Sequence, residues 1–147
     1  MQKRIIANYV LIPEIARLVS DGSKIIFTPK GVSMLPFIRG DMDNVVLVKP
    51  KGLRIGDIVL ARNAPDTYVL HRILEINGED IVLMGDGNIV STERCRVSDI
   101  LAIAEKIIRN GKEIDCRSKS HLRKADIWRK LKPIRRYLLA IYKRVIL

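Results

Sequence analysis

Between Lys24 and Cys116 the chain breaks into short apolar runs with turn-forming residues between them: KIIFTP, NVVLVKP, RIGDIVLAR, YVLHRILEI, DIVLMGD and ILAIAEKIIRNGKEID. The runs are short and rich in β-branched Val and Ile, as strands are. Gly, Pro, Asn and Asp separate the runs, and Asn77-Gly78, Asp86-Gly87 and Asn110-Gly111 are pairs that favour tight hairpin turns. The pattern predicts a mainly β fold, an antiparallel sheet coiled into a barrel-like body.

The flanks read differently. ANYVLIPEIARLVSDG places Val10, Leu11, Ile15 and Leu18 at helical spacing, with Pro13 near the first turn and Gly22 as the stop. From about Leu122 the spacing of Ile127, Leu131, Ile134, Leu138, Ile141 and Val145 marks one helix face, and Pro133 must kink that helix or start a second one. Three segments follow: an N-terminal amphipathic helix in residues 1–23, a β domain in 24–116 and a basic helical tail in 117–147. At 147 residues the chain has room for one real core.

Charge is confined to the tail. Residues 117–147 hold 11 Lys and Arg and one acid, Asp126, while residues 1–116 hold 16 basic and 15 acidic residues. Three arrangements of the tail compete. In order of preference they are packing on the β domain, an anionic membrane surface bound through residues 122–147, and nucleic acid, for which no motif speaks. His121, in RSKSHLRK, reads as solvated. No stretch approaches the roughly 18 uncharged apolar residues of a membrane span, and no secretory signal opens the chain. Cys95 and Cys116 lack metal or CxxC spacing and read as buried thiols, which points to the cytoplasm, with peripheral membrane association left open. Nothing suggests a metal, and there is no glycine-rich phosphate loop, so no cofactor is expected.

One serine stands out. Ser33 lies in KGVSMLPFIRGD between a glycine and a methionine, before a proline turn and Gly-Asp. A serine hydroxyl needs a base to become a nucleophile. His71 lies within an apolar strand, where its ring needs a partner, and Asp86 follows at a strand end. Taken singly, a strand histidine facing water and a plain turn aspartate are the preferred readings of these residues.

Together, GVSMLPFIRGD, IGDIV, VLHRI and GDGN resemble the ordered motif boxes of the signal peptidase I and self-cleaving SOS repressor superfamily of serine peptidases. The likeness runs from about Gly31 to Ile103. The superfamily's β fold is implied by it. Ser33 matches the nucleophile. His71 falls where bacterial signal peptidases and the repressors carry lysine and where the endoplasmic-reticulum and archaeal type carries histidine, so the chain is most similar to the Ser-His branch and to its small unanchored bacterial members. That branch has a second aspartate after Gly-Asp; here the next acid is Glu93. Asp86 is the first choice for the acid that orients His71, with Glu93 in reserve. Gly31 stands where some signal peptidases add an oxyanion-hole hydroxyl, which leaves the Ser33 backbone N–H as donor. Met34 and Pro36 shape the turn, and Asp57 is expected to hold backbone N–H groups at a turn.

The resemblance implies a serine endopeptidase acting through an acyl-enzyme, with activity that rises with pH through the neutral range. Its substrate would be a peptide or protein segment lying as an added β-strand, with small residues before the cut, and a leader or precursor peptide is a candidate. The alternatives are a catalytically silent peptide-binding module on the same fold and, third, a self-cleaving repressor. The repressor lacks support: the base is histidine, the N-terminal part is short, and the chain contains no Ala-Gly pair.

Overall fold

The computed structural model describes residues 4–7 and 12–146. The fold is mainly β, as expected: among the described residues nine strands form one curled, largely antiparallel sheet, with a short helix between its first two strands and two helices after it. In chain order the elements are β1 Arg4–Ala7, α1 Ile12–Ser20, β2 Lys24–Phe27, β3 Asn44–Val48, β4 Ile58–Ala64, β5 Thr67–Asn77, β6 Asp80–Met84, β7 Glu93–Arg96, β8 Ile100–Arg109, β9 Lys112–Asp115, α2 Lys119–Lys130 and α3 Arg135–Ile146. The sheet runs β1-β2-β3-β8-β4-β5-β6-β7, and β9 pairs with β8.

Strand alternation builds two cores from one sheet. On β4, Ile58 and Leu60 enter the core covered by α1, and Val59 and Ala61 enter the second. Successive side chains on a strand point to opposite faces, so a strand buried on both faces must be apolar throughout, as Ile58–Ala61 are. The first core gathers Ile15, Val19, Ile25, Phe27, Met34 and Ile38 around these strands. The second gathers Ile73, Ile81, Leu83, Cys95, Ile100 and Ile103. Both cysteines are free and buried; burial pushes the Cys95 thiol up to about 11 and the Cys116 thiol up to about 12.

The N-terminal segment is more than a helix. Strand β1 precedes α1 and pairs parallel to β2, which the sequence pattern did not suggest. Val10 and Leu11 lie outside the described residues. Helix α1 ends at Gly22, whose φ of 97° permits the closing bonds from Gly22 N–H to Val19 O and from Ser23 N–H to Leu18 O. Two of the three turn pairs make tight two-residue hairpin turns. Asn110 and Gly111 both have positive φ, 52° and 78°, and join β8 to β9. Gly78, with φ 60°, opens the two-residue link from Asn77 to Asp80. Asp86-Gly87 does not make a tight turn: it lies in the longer loop, residues 85–92, that joins β6 to its antiparallel neighbour β7, and its backbone is engaged with the Ser33 loop.

The tail folds as two helices. Pro133 sits in a tight turn over Lys132–Ile134 and starts α3. Ser118 caps α2 by accepting the His121 N–H at 3.1 Å. His121 is buried, not solvated. Its ring stacks edge-on against Phe37, 5.4 Å between centroids, and Arg72 Nη1 donates to its Nε2 at 3.2 Å. The basic linker pattern concealed this because only one turn of α2 faces the sheet. Among the described residues no helix is long and apolar enough to cross a membrane.

Candidate active site

Ser33 sits in the loop between β2 and β3, which is closed at its base by glycine. A Cβ on Gly40 would lie 2.0 Å from the Gly31 carbonyl oxygen, so no other residue fits there without moving the backbone. The neck is sealed by Asp41 N–H donating to Pro29 O at 2.8 Å. Met34, Leu35 and Ile38 are buried below the loop, and the Met34 carbonyl accepts from Phe37 and Ile38 N–H at 3.0 and 2.9 Å. Arg109 holds the Pro36 carbonyl at 3.0 Å and also binds Asp43. Asp43 is fully buried; burial opposes its charge, but Arg39 and Arg109 outweigh that cost and hold its carboxyl below the usual range. The loop that carries Ser33 is therefore a fixed frame, with Ser33 itself half-exposed.

The GDGN loop is seated directly on this frame. Gly87 N–H donates to Ser33 O at 2.8 Å, and a Cβ on Gly87 would come within 2.1 Å of the Val32 carbonyl oxygen. Gly85 packs as closely: a Cβ there would sit 2.4 Å from the Ser33 carbonyl oxygen and 3.0 Å from His71 Nε2. One methyl-sized point thus touches both residues, and a side chain at position 85 would fill the space between them. Ser33 and His71 also line a common cavity of about 110 Å³ with Phe27, Met34, Leu60 and Leu70.

His71 is buried near the middle of β5, opposite Val59. Its Nδ1 is hydrogen-bonded to the Glu93 carboxylate at the start of β7. Its Nε2 is the nitrogen beside the Ser33 frame. The Ser33 hydroxyl and Nε2 are not hydrogen-bonded in this arrangement. Such contacts often tighten only when substrate is present.

Asp86, the first choice to orient His71, does another job. Arg72 grips its carboxylate through Nε at 2.9 Å and Nη2 at 2.7 Å, with both residues buried. Strand alternation explains the correction. Arg72 and His71 are adjacent on β5 and project to opposite faces, so the carboxylate that binds Arg72 is turned away from the histidine. Arg72 also donates to Gly56 O at 2.8 Å and lies over the Phe37 ring, 4.9 Å from its centroid.

Asp57 holds the Arg54 N–H at 2.8 Å, as expected, and is also paired with Arg117 at 2.7 Å. Sequence reasoning missed Arg72, although a cation inside an apolar strand calls for a carboxylate. It also missed Trp128, whose Nε1 donates to Asp86 O at 2.7 Å, and Arg135, which donates to Asn88 O at 2.8 Å. Both belong to the tail, and no local pattern announces that they brace the loop.

The cleft has two walls. Pro29–Ser33 form one, and Tyr68–His71 of β5 form the other. Strand β6 pairs with β5 only from Arg72 onward, so among the described residues Thr67–His71 are paired to β4 alone and keep an open edge. Among the described residues no cluster of three His, Cys, Asp or Glu could hold a metal ion. No protein-family model matches the chain, and no curated protein matches it.

Proposed function

We propose that this protein is a serine endopeptidase of the signal-peptidase-like type, related to the Ser-His branch of that superfamily. The observation that carries the reading is the setting of His71: Glu93 binds one ring nitrogen, and the other lies, like the Ser33 carbonyl oxygen, within 3.0 Å of the Cβ position of Gly85. A serine, a histidine and a carboxylate brought together from three separate segments are the parts of an acyl-transfer site.

In this mechanism Ser33 Oγ attacks the peptide carbonyl while His71 Nε2 takes the hydroxyl proton. The C–N bond breaks as the imidazolium returns that proton to the leaving amine. Water then hydrolyses the Ser33 ester, with His71 again as base. Glu93 accepts from Nδ1–H, which keeps Nε2 free as base and stabilises the imidazolium. The Ser33 N–H serves the developing oxyanion.

The substrate lies extended along the open edge of Thr67–His71, adding a strand to the sheet. The cavity of about 110 Å³ beneath Ser33 is well below the usual size of a small-molecule site and suits one small side chain. A leader or precursor peptide in the cytoplasm fits this reading, and the two buried thiols fit a reducing compartment. No cofactor takes part.

The open contact between Ser33 and His71 favours one second reading, a peptide-binding module that does not cut. A library of extended peptides separates the two. The peptidase reading expects cleavage by the intact chain and none by Ser33→Ala; peptides that are retained but never cut would support the module.

A further inference from the structure

We propose that the outer face of the two C-terminal helices docks on an anionic lipid bilayer. The apolar stripe marked by the sequence is not what fastens α3 to the body. Arg135 and Leu139, one turn apart, are the buried residues of α3. Ile134, Ile141 and Val145 follow at spacings of seven and four and form a separate arc, with Tyr137 beside it. Ile141 is 63% exposed, Val145 76% and Tyr137 64%. On α2, Ile127 is exposed among Arg123, Lys124 and Lys130.

The helices cannot simply turn to bury this arc. Arg135 donates to Asn88 O at 2.8 Å and to Trp128 O at 3.2 Å, and its guanidinium lies 5.2 Å from the centroid of the Trp128 ring. Trp128 in turn donates to Asp86 O. Rolling α3 inward would break these bonds and expose Leu139.

Charge selects the occupant. The tail has 11 Lys and Arg against one acid, and that acid, Asp126, is already paired with Arg129 and Lys130. A second copy of the face would set these cations against their like. Nucleic acid would neutralise them but leave the apolar arc in water. An anionic bilayer meets both needs, with Ile127, Ile134, Ile141 and Val145 at the acyl boundary and the cations that flank them on the helix surface, Arg123, Lys124, Lys130 and Arg144, at headgroup phosphates. At 12 residues, α3 is roughly 18 Å long, too short to cross about 30 Å of hydrocarbon, so it lies in the interface.

The test is flotation of the full chain with vesicles of phosphatidylcholine alone or of phosphatidylcholine mixed equally with phosphatidylglycerol. Binding is expected to the anionic vesicles only, with loss at high salt. The double variant Ile141→Ser with Val145→Ser changes two exposed side chains, so it should keep the wild-type melting temperature while its partition falls at least ten-fold. Lys124→Gln with Arg144→Gln, two exposed cations flanking the apolar arcs, should weaken binding and flatten its salt dependence. Absence of wild-type flotation with anionic vesicles would overturn the proposal. So would undiminished binding by the folded serine variant, or a wild-type dimer in solution that the serine variant abolishes. Each readout is independent of peptidase activity.

Discussion

Asp86 is bound by Arg72 through two short hydrogen bonds, and it is Glu93, not Asp86, that meets the ring of the adjacent His71. Two neighbouring residues of one strand therefore hold two different carboxylates on two faces of the sheet, Glu93 at the His71 ring and Asp86 at Trp128 of the C-terminal helices.

That division predicts opposite phenotypes. Glu93→Gln should leave the fold intact and lower kcat by about 10²–10⁴-fold, the usual range when a histidine base loses its orienting anion. Asp86→Ala should instead leave the Arg72 cation buried without its partner, at a cost of about 3–5 kcal/mol. Denaturant unfolding beside peptide turnover separates the two. A stable, inactive Asp86→Ala together with an active Glu93→Gln would reverse the assignment.

Gly85 should tolerate no side chain. In Gly85→Ala the new Cβ would meet the Ser33 carbonyl oxygen at 2.4 Å, and backbone cannot step aside as a flexible side chain can. A stability loss of about 1–3 kcal/mol and a fall in turnover should appear together. Gly78→Ala is the control: nothing lies within 4 Å of its Cβ position, so only the cost of its positive φ applies and activity should persist.

His121 should make stability fall with acid. Burial first, then the Arg72 charge, lowers its pKa from 6.5 to about 4, so the folded ring stays neutral while the unfolded one gains a proton. The unfolded state thus binds more protons across that interval. The contribution is fully present above about pH 6.5 and is lost progressively as the pH falls towards 4, on the order of 3 kcal/mol in all. Unfolding free energies at pH 7 and pH 5 should differ less in His121→Gln than in the natural chain. An unchanged difference would mean that His121 is not held neutral.

Much of the fold was legible because it follows from period and punctuation. Runs such as DIVLAR and YVLHRILEI could only be strands in a sheet covered on both sides, and Asn110-Gly111 could only be a turn of positive φ. Asp86-Gly87 looked equally like a turn, yet the glycines there answer to a different demand, the close approach of the Val32 and Ser33 carbonyls. Sequence shows that a residue is small, not what it must clear. The candidate site was half legible. Ser33 and His71 stood out because a polar group in an apolar setting needs a partner. Which acid served the histidine depended on strand alternation at residues 71 and 72 and on the pairing of β7, both long-range facts. The same is true of Trp128 and Arg135, whose helical stripe advertised the wrong face.

The central claim is that Ser33 is a nucleophile activated by His71, and acid-quenched mass spectrometry tests it most directly. The full chain would be mixed with an activated peptidyl ester that has alanine at its acyl end, quenched within seconds to minutes, digested and mapped. The account predicts an acyl adduct on Ser33, absent from Ser33→Ala and strongly reduced in His71→Ala. A wild-type chain that hydrolyses the ester with no adduct on Ser33, or that neither hydrolyses it nor becomes acylated, would contradict it.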